Sequence, residues 1–160
     1  MPLIEKARPY SNFSLRLRTF YFQIELLQSL SLIFDTGCLI LIWLVQLVIY
    51  PSFQYYGPSD LKKWHSKYTG QITVVVLPLM VGQLITSSML AYLEISALNL
   101  IKLALILINW VLTFVVFVPL HQKLEHIAEP LQLTKALIVK NWLRTFIWSL
   151  IFLLTLFKGL

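Results

Sequence analysis

Four long apolar runs, at about 30–50, 72–93, 100–120 and 137–157, take up more than half of this 160-residue chain. At about 1.5 Å rise per residue, roughly 20 residues of helix cross the ~30 Å hydrocarbon core of a bilayer. Lipid offers no partner to a backbone amide, so a spanning segment must be a helix or part of a closed barrel. Unbroken runs of this length fit helices. The chain is 58% hydrophobic and 12% charged, against roughly 25% charged in soluble domains. The expected fold is all-α: a four-helix antiparallel transmembrane bundle, forming one integral membrane domain over residues 1–160.

Ahead of the first run, Phe13, Leu17, Phe20, Ile24 and Leu27 recur at spacings of three and four, with Arg16, Arg18, Gln23 and Glu25 off that stripe. This pattern predicts an N-terminal amphipathic interfacial helix over about 12–28, with Ser11 or Asn12 as its cap. The alternative is that this segment simply extends the first span. Its charges, and the length of the run that follows, are unlike a cleavable signal peptide. The net charge of +6 comes from 13 Lys and Arg residues that flank the apolar runs instead of forming one stripe. Such stems snorkel to headgroups, and no nucleic-acid partner is expected. Lys102 is read in the same way. Lys and Arg divide almost evenly between the two membrane sides, so charge sets no orientation. Cys38 is a single thiol inside the first run, expected to be a small buried residue.

Antiparallel spans bring alternate run boundaries together at one membrane face. Gln46, Tyr50, Pro51, Trp64, His65, Tyr68, Pro119, His121, Asn141, Trp142 and Arg144 all fall there, and the opposite face is sparse. Polar stripes run inward from it: Trp43, Gln46 and Tyr50 on the first span; His65, Tyr68, Gln83 and Thr86 on the second; Asn109 and Thr113 on the third; Asn141, Thr145, Trp148 and Thr155 on the fourth. Spacings of three and four put each set on one helix face, and amides facing lipid would lack partners, so these faces should meet inside the bundle. Pro51 and Pro119 are expected to close the first and third spans, and Pro78 to disturb the second.

His65 and His121 are the most capable pair chemically, since imidazole moves protons near neutral pH or ligates metal and haem iron. Both are catalytic candidates, as is Arg144, whose guanidinium at the edge of a span needs a lipid phosphate, helix-end carbonyls or an anionic ligand. Trp43, Gln46, Tyr68, Asn141 and Trp148 are the expected ligand-binding residues. Acidic partners are scarce: Asp35 and Glu94 belong to the opposite face, and Asp60, Glu125 and Glu129 to loops. That argues against a carboxylate-dyad hydrolase or a proton-relay pump. No phosphate-binding loop, HExxH or GxSxG sequence is present.

The ordered set Trp43-Leu-Val-Gln46, Tyr50-Pro51-x-Phe53, His65, Tyr68, Leu77-Pro78-Leu-Met80, Trp110-x-x-Thr113, Pro119-Leu-His121 and Asn141-Trp142-x-Arg144-Thr145-x-x-Trp148 resembles an uncharacterised family of small four-helix bacterial integral membrane proteins. The resemblance covers roughly residues 36–156. It implies a multi-pass protein of the bacterial inner membrane and supplies no reaction. That family commonly carries an acidic residue shortly after the Pro-x-Met element, where this chain has Gln83. A more distant similarity is to anthrone-oxygenase-like membrane proteins.

Two functions are open at this point. One is a polar and aromatic site at the crowded face that binds, or also transforms, a lipid-phase small molecule or cofactor. Its cofactor is unknown, with haem or a metal at His65 and His121 left open. The other is a non-catalytic accessory or assembly subunit of a larger membrane complex, with other membrane subunits as partners beside the lipid bilayer. A transporter is disfavoured, because no internal repeat is visible and few ionisable groups fall near mid-span.

Overall fold

The computed structural model describes residues 9–127 and 130–159, and side chains from Phe13 to Ile127 and from Pro130 to Lys158. Four helices are long and apolar enough to cross a membrane: Phe13–Tyr55, Pro58–Leu93, Ala97–His126 and Leu131–Lys158, here the first to fourth spans. Among the described residues there is no strand. The first span packs on the second and fourth, and the third packs on the same two, so the four helices close a ring. The simple pattern of runs hides one inversion of ordinary globular burial.

Large apolar side chains cover the outside, among them Ile33, Leu47, Val74, Ile85, Val111 and Phe146. The inside holds Asp35, Gln46, His65, Gln83, Asn109, Asn141 and Arg144. This is the distribution of a protein whose solvent is hydrocarbon: polar groups gain partners only by turning inward. The four helices have the length, apolar cover and polar interior that suit a multi-pass membrane protein.

Residues expected as a separate interfacial helix are the opening turns of one continuous helix, Pro9–Leu44. No turn residue separates 28 from 30, so nothing interrupts the backbone hydrogen bonds there. The second span starts at Pro58, one or two residues before the Ser59 or Asp60 cap expected from sequence, with Gly57 as N-cap. A proline at the first helical position loses no bond, since its N–H would be unpaired anyway. Ser96 caps the third span by accepting from the Asn99 amide at 3.2 Å. The first and second spans approach closely where Gly82 faces Phe34; a Cβ on Gly82 would overlap that ring.

Pro51 and Pro119 do not close their spans. The helix continues to Tyr55 in one case and to His126 in the other, and each proline follows a single π-helical turn. The Tyr50 amide bonds to the Val45 carbonyl and the Val118 amide to the Thr113 carbonyl, each skipping five residues. A proline ring clashes with the carbonyl four residues earlier and cannot donate to it. Those carbonyls belong to Leu47 and Val115, the middle residues of the two π turns. Widening the turn relieves the clash and lets the helix run on. Both turns lie beside the polar interior of the crowded end. The second span, in contrast, stays α-helical through Pro78.

Candidate functional site

At the crowded end, four side chains from three spans form one hydrogen-bonded chain. Tyr50 Oη lies 3.0 Å from His121 Nε2, His121 Nδ1 lies 2.7 Å from His65 Nε2, and His65 Nδ1 lies 3.2 Å from Glu125 Oε1. The two imidazoles are nearly parallel, with ring centres 5.0 Å apart. Phe53 and Tyr68 pack edge-on against each other and around His65, which is fully buried. Glu125 keeps about a third of its side chain exposed (35%) and so ends the chain near water.

The chemistry of the two ends sets the direction of every bond between them. A carboxylate only accepts, so His65 donates from Nδ1 to Glu125, and its Nε2 is left as an acceptor. His121 must then donate from Nδ1, leaving its own Nε2 to accept from the Tyr50 hydroxyl. At the other end the Arg144 guanidinium interacts with the Tyr50 side chain. A guanidinium has donors only, so Tyr50 oxygen accepts there and its proton points to His121. Both ends give the same orientation.

Arg144 is 7% exposed and sits between two rings, 4.4 Å from the centre of Phe117 and 4.9 Å from that of Trp148. Aromatic faces hold the cation in place. Among the described residues it has no carboxylate partner, and its Nε has no hydrogen-bond acceptor. A cleft of 290 Å³ opens onto it between the second and third spans. Its walls include Ile72, Val76 and Val118, and its polar lining includes Tyr50, Tyr68, Thr113, His121, Glu125 and Arg144.

The sequence-expected residues separate into three groups. Tyr68, His121 and Arg144 line the cleft, with His65 directly behind His121. Gln46, Asn141 and Trp148 are buried beneath it and support it. Asn141 donates to Gln46 Oε1 at 2.9 Å, Gln46 donates to the Ile138 carbonyl at 3.2 Å, and Trp148 donates to Gln83 at 3.1 Å. Trp43 does neither. It lies on the outer surface, edge-on to Trp142 at 5.8 Å and donating to Ser149, because its position on the helix points between the first and fourth spans toward lipid. Asn109 is interior, as its stripe requires, yet both atoms of its amide lack partners among the described residues.

Two elements escaped the sequence. Glu125, assigned to a loop, is on the helix that continues past Pro119, one turn beyond His121; the four-residue spacing was the available signal. Lys102 does not snorkel. Its ammonium is buried, donating to Ser31 at 2.6 Å, Asp35 at 2.5 Å and Thr155 at 2.6 Å. Asp35 also accepts from Gln83 at 2.8 Å, which ties the first span to the second. Lys102, Ile106, Asn109 and Thr113 are spaced by four, three and four, which puts Lys102 on the third span's inward stripe.

Three or more His, Cys, Asp or Glu side chains arranged to hold a metal ion are not found among the described residues. Both nitrogens of His65 and both of His121 are engaged in the chain from Tyr50 to Glu125, so ligation of a metal or haem iron would have to break it. Comparison with family models, curated proteins and solved structures finds no match for this chain.

Proposed function

We propose that this membrane protein binds an acidic lipid-phase amphiphile in the cleft between its second and third spans, with the anionic group against Arg144. The observation that carries this reading is the buried guanidinium that faces the cleft and forms no ion pair among the described residues, Glu125 of the same lining being bonded to His65 instead. An uncompensated charge in such a place costs several kcal/mol, and an incoming anion removes that cost. Apolar walls with a few convergent polar groups are the usual form of a small-molecule site.

The chain from Tyr50 to Glu125 then has a use. A proton passed from Tyr50 to His121 Nε2 releases the Nδ1 proton of His121 to His65 Nε2. The Nδ1 proton of His65 passes in turn to Glu125. The net result is a tyrosinate beside Arg144 and a protonated carboxyl near water. The tyrosinate can take the proton of an acid arriving in the cleft, which restores Tyr50 and leaves the bound anion paired with Arg144. Tyr50 and Arg144 touch the ligand in this scheme, and His121, His65 and Glu125 carry its proton away.

Oleate and methyl oleate test the reading, since they share a tail and differ in charge. Purified protein should bind oleate at least tenfold more tightly than the ester, and Arg144→Gln should abolish the difference. Equal affinity of the wild-type protein for both would sink the proposal. Placement in the bacterial inner membrane, and kinship with the small four-helix family, rest on the resemblance above and belong to the same proposal. An accessory subunit would instead leave native membranes with partners attached, while the protein proposed here migrates alone at its own 18.6 kDa.

A further inference from the structure

The other end of the bundle holds a second and larger cleft, of 510 Å³. Leu32, Leu90, Leu98, Leu154 and Leu156 give it a mostly apolar wall. Its polar lining is Gln28, Ser29, Ser31, Asn99, Lys102, Thr155 and Lys158.

Its electrostatics are unlike those of the Arg144 cleft. All three N–H groups of Lys102 are used, on Ser31, Asp35 and Thr155, and Asp35 cancels its charge. Lys158 donates to Glu94 at 2.6 Å and to Asn99 at 3.0 Å. An ammonium has three donors, so among the described residues Lys158 keeps one for a ligand, while Glu94, with 43% of its side chain exposed, keeps its second oxygen open to one. Lys158 lines the cleft and Glu94, outside the lining, is bonded to it, so a cationic donor in the cleft and an anionic acceptor next to it stand side by side with no net charge between them. A ligand carrying net charge would find nothing left to neutralise it, at a desolvation cost. A zwitterion brings both signs: its phosphate suits the free Lys158 N–H, its ammonium suits Glu94, and its acyl chain suits the leucine wall.

We infer that this cleft is a second ligand site, independent of the first, which takes a zwitterionic phospholipid with an ammonium headgroup. Delipidated protein offered equal amounts of phosphatidylethanolamine and phosphatidylglycerol, followed by native mass spectrometry, tests it. The zwitterionic lipid should be retained at least threefold over the anionic one, in wild-type protein and in Arg144→Gln alike, which separates this site from the oleate site. Lys158→Gln should reduce the retained zwitterionic lipid. Glu94→Gln leaves Lys158 uncompensated and should reverse the preference in favour of phosphatidylglycerol, a gain that a misfolded variant could not produce. Equal retention of the two lipids by wild-type protein, or an unchanged ratio in Glu94→Gln, overturns the inference.

Discussion

His65 Nε2 and His121 Nδ1 are 2.7 Å apart and form one of the two hydrogen bonds by which His65 on the second span meets the third. The bond exists because the third span continues past Pro119. Had the helix stopped there, as a proline at that point in the sequence invites, His121 and Glu125 would have been loop residues with no fixed relation to His65. The π turn at Thr113–Phe117 accommodates the proline, and the helical turn after it sets His121 and Glu125 on one face. A local backbone adjustment is thus what assembles the chain from Tyr50 to Glu125.

The direction of that chain is measurable. With a carboxylate at one end and a guanidinium at the other, both rings should carry their single proton on Nδ1. In protein labelled with nitrogen-15 at histidine, spectra recorded well above the ordinary imidazole range (about 6.5) should show the Nδ1–H tautomer for His65 and His121. An Nε2–H signal assigned to either ring would contradict the orientation derived from Glu125 and Arg144.

Asp35 and Lys102 form a buried ion pair, and its energetics predict a characteristic non-additivity. Lys102→Met leaves the Asp35 carboxylate buried without its cation, at a cost of about 3–5 kcal/mol. Asp35→Asn leaves an ammonium in the same position. The double variant removes both charges and should recover most of the loss, because a neutral pair needs no charge compensation. Unfolding free energies of the four proteins in detergent complete the cycle. If the two single losses simply add, Asp35 and Lys102 are not coupled.

The four-helix architecture was legible because it rests on run length, which hydrocarbon thickness dictates. The convergence of polar residues at one end was legible for a related reason: helical spacing fixes which residues share a face. Positions within that end were harder to read. Trp43 and Gln46 are three residues apart on one predicted stripe, yet Gln46 is buried against Asn141 while Trp43 faces lipid. A spacing of three leaves ~60° of rotation between residues, enough to cross from the interior to the rim of a narrow interface. Lys102 was misplaced for a different reason. Depth near a span end permits snorkelling; helical spacing puts Lys102 on the inward stripe, but what holds its ammonium inside is the set of partners Ser31, Asp35 and Thr155, which come from other helices. No rule local to the third span contains them.

That difference between neighbours gives a paired prediction. Trp43→Leu replaces one lipid-facing apolar side chain with another and should leave oleate affinity within about twofold of wild type. Gln46→Leu removes the acceptor of Asn141, whose Oδ1 already lacks a partner among the described residues. It should lower stability by about 0.6–1.7 kcal/mol, the span measured for hydrogen bonds between membrane helices. Thermal unfolding and oleate titration of both variants are the measurements. A large affinity loss in Trp43→Leu would return that residue to the site.

Pro119→Ala probes the backbone device itself. Without the ring, the clash with the Val115 carbonyl disappears and the π turn is free to revert to α-helix. A π turn accommodates one extra residue, so reverting it turns everything beyond it by about 100° about the helix axis. His121 would leave the face that meets His65, while the apolar runs that hold the bundle together would be unchanged. The expected outcome is a protein that folds with near-normal stability but loses the nitrogen-15 signature of the ring-to-ring hydrogen bond, and with it the single tautomer of His65. Retention of that signature in Pro119→Ala would show that tertiary packing, and not the proline, maintains the wide turn.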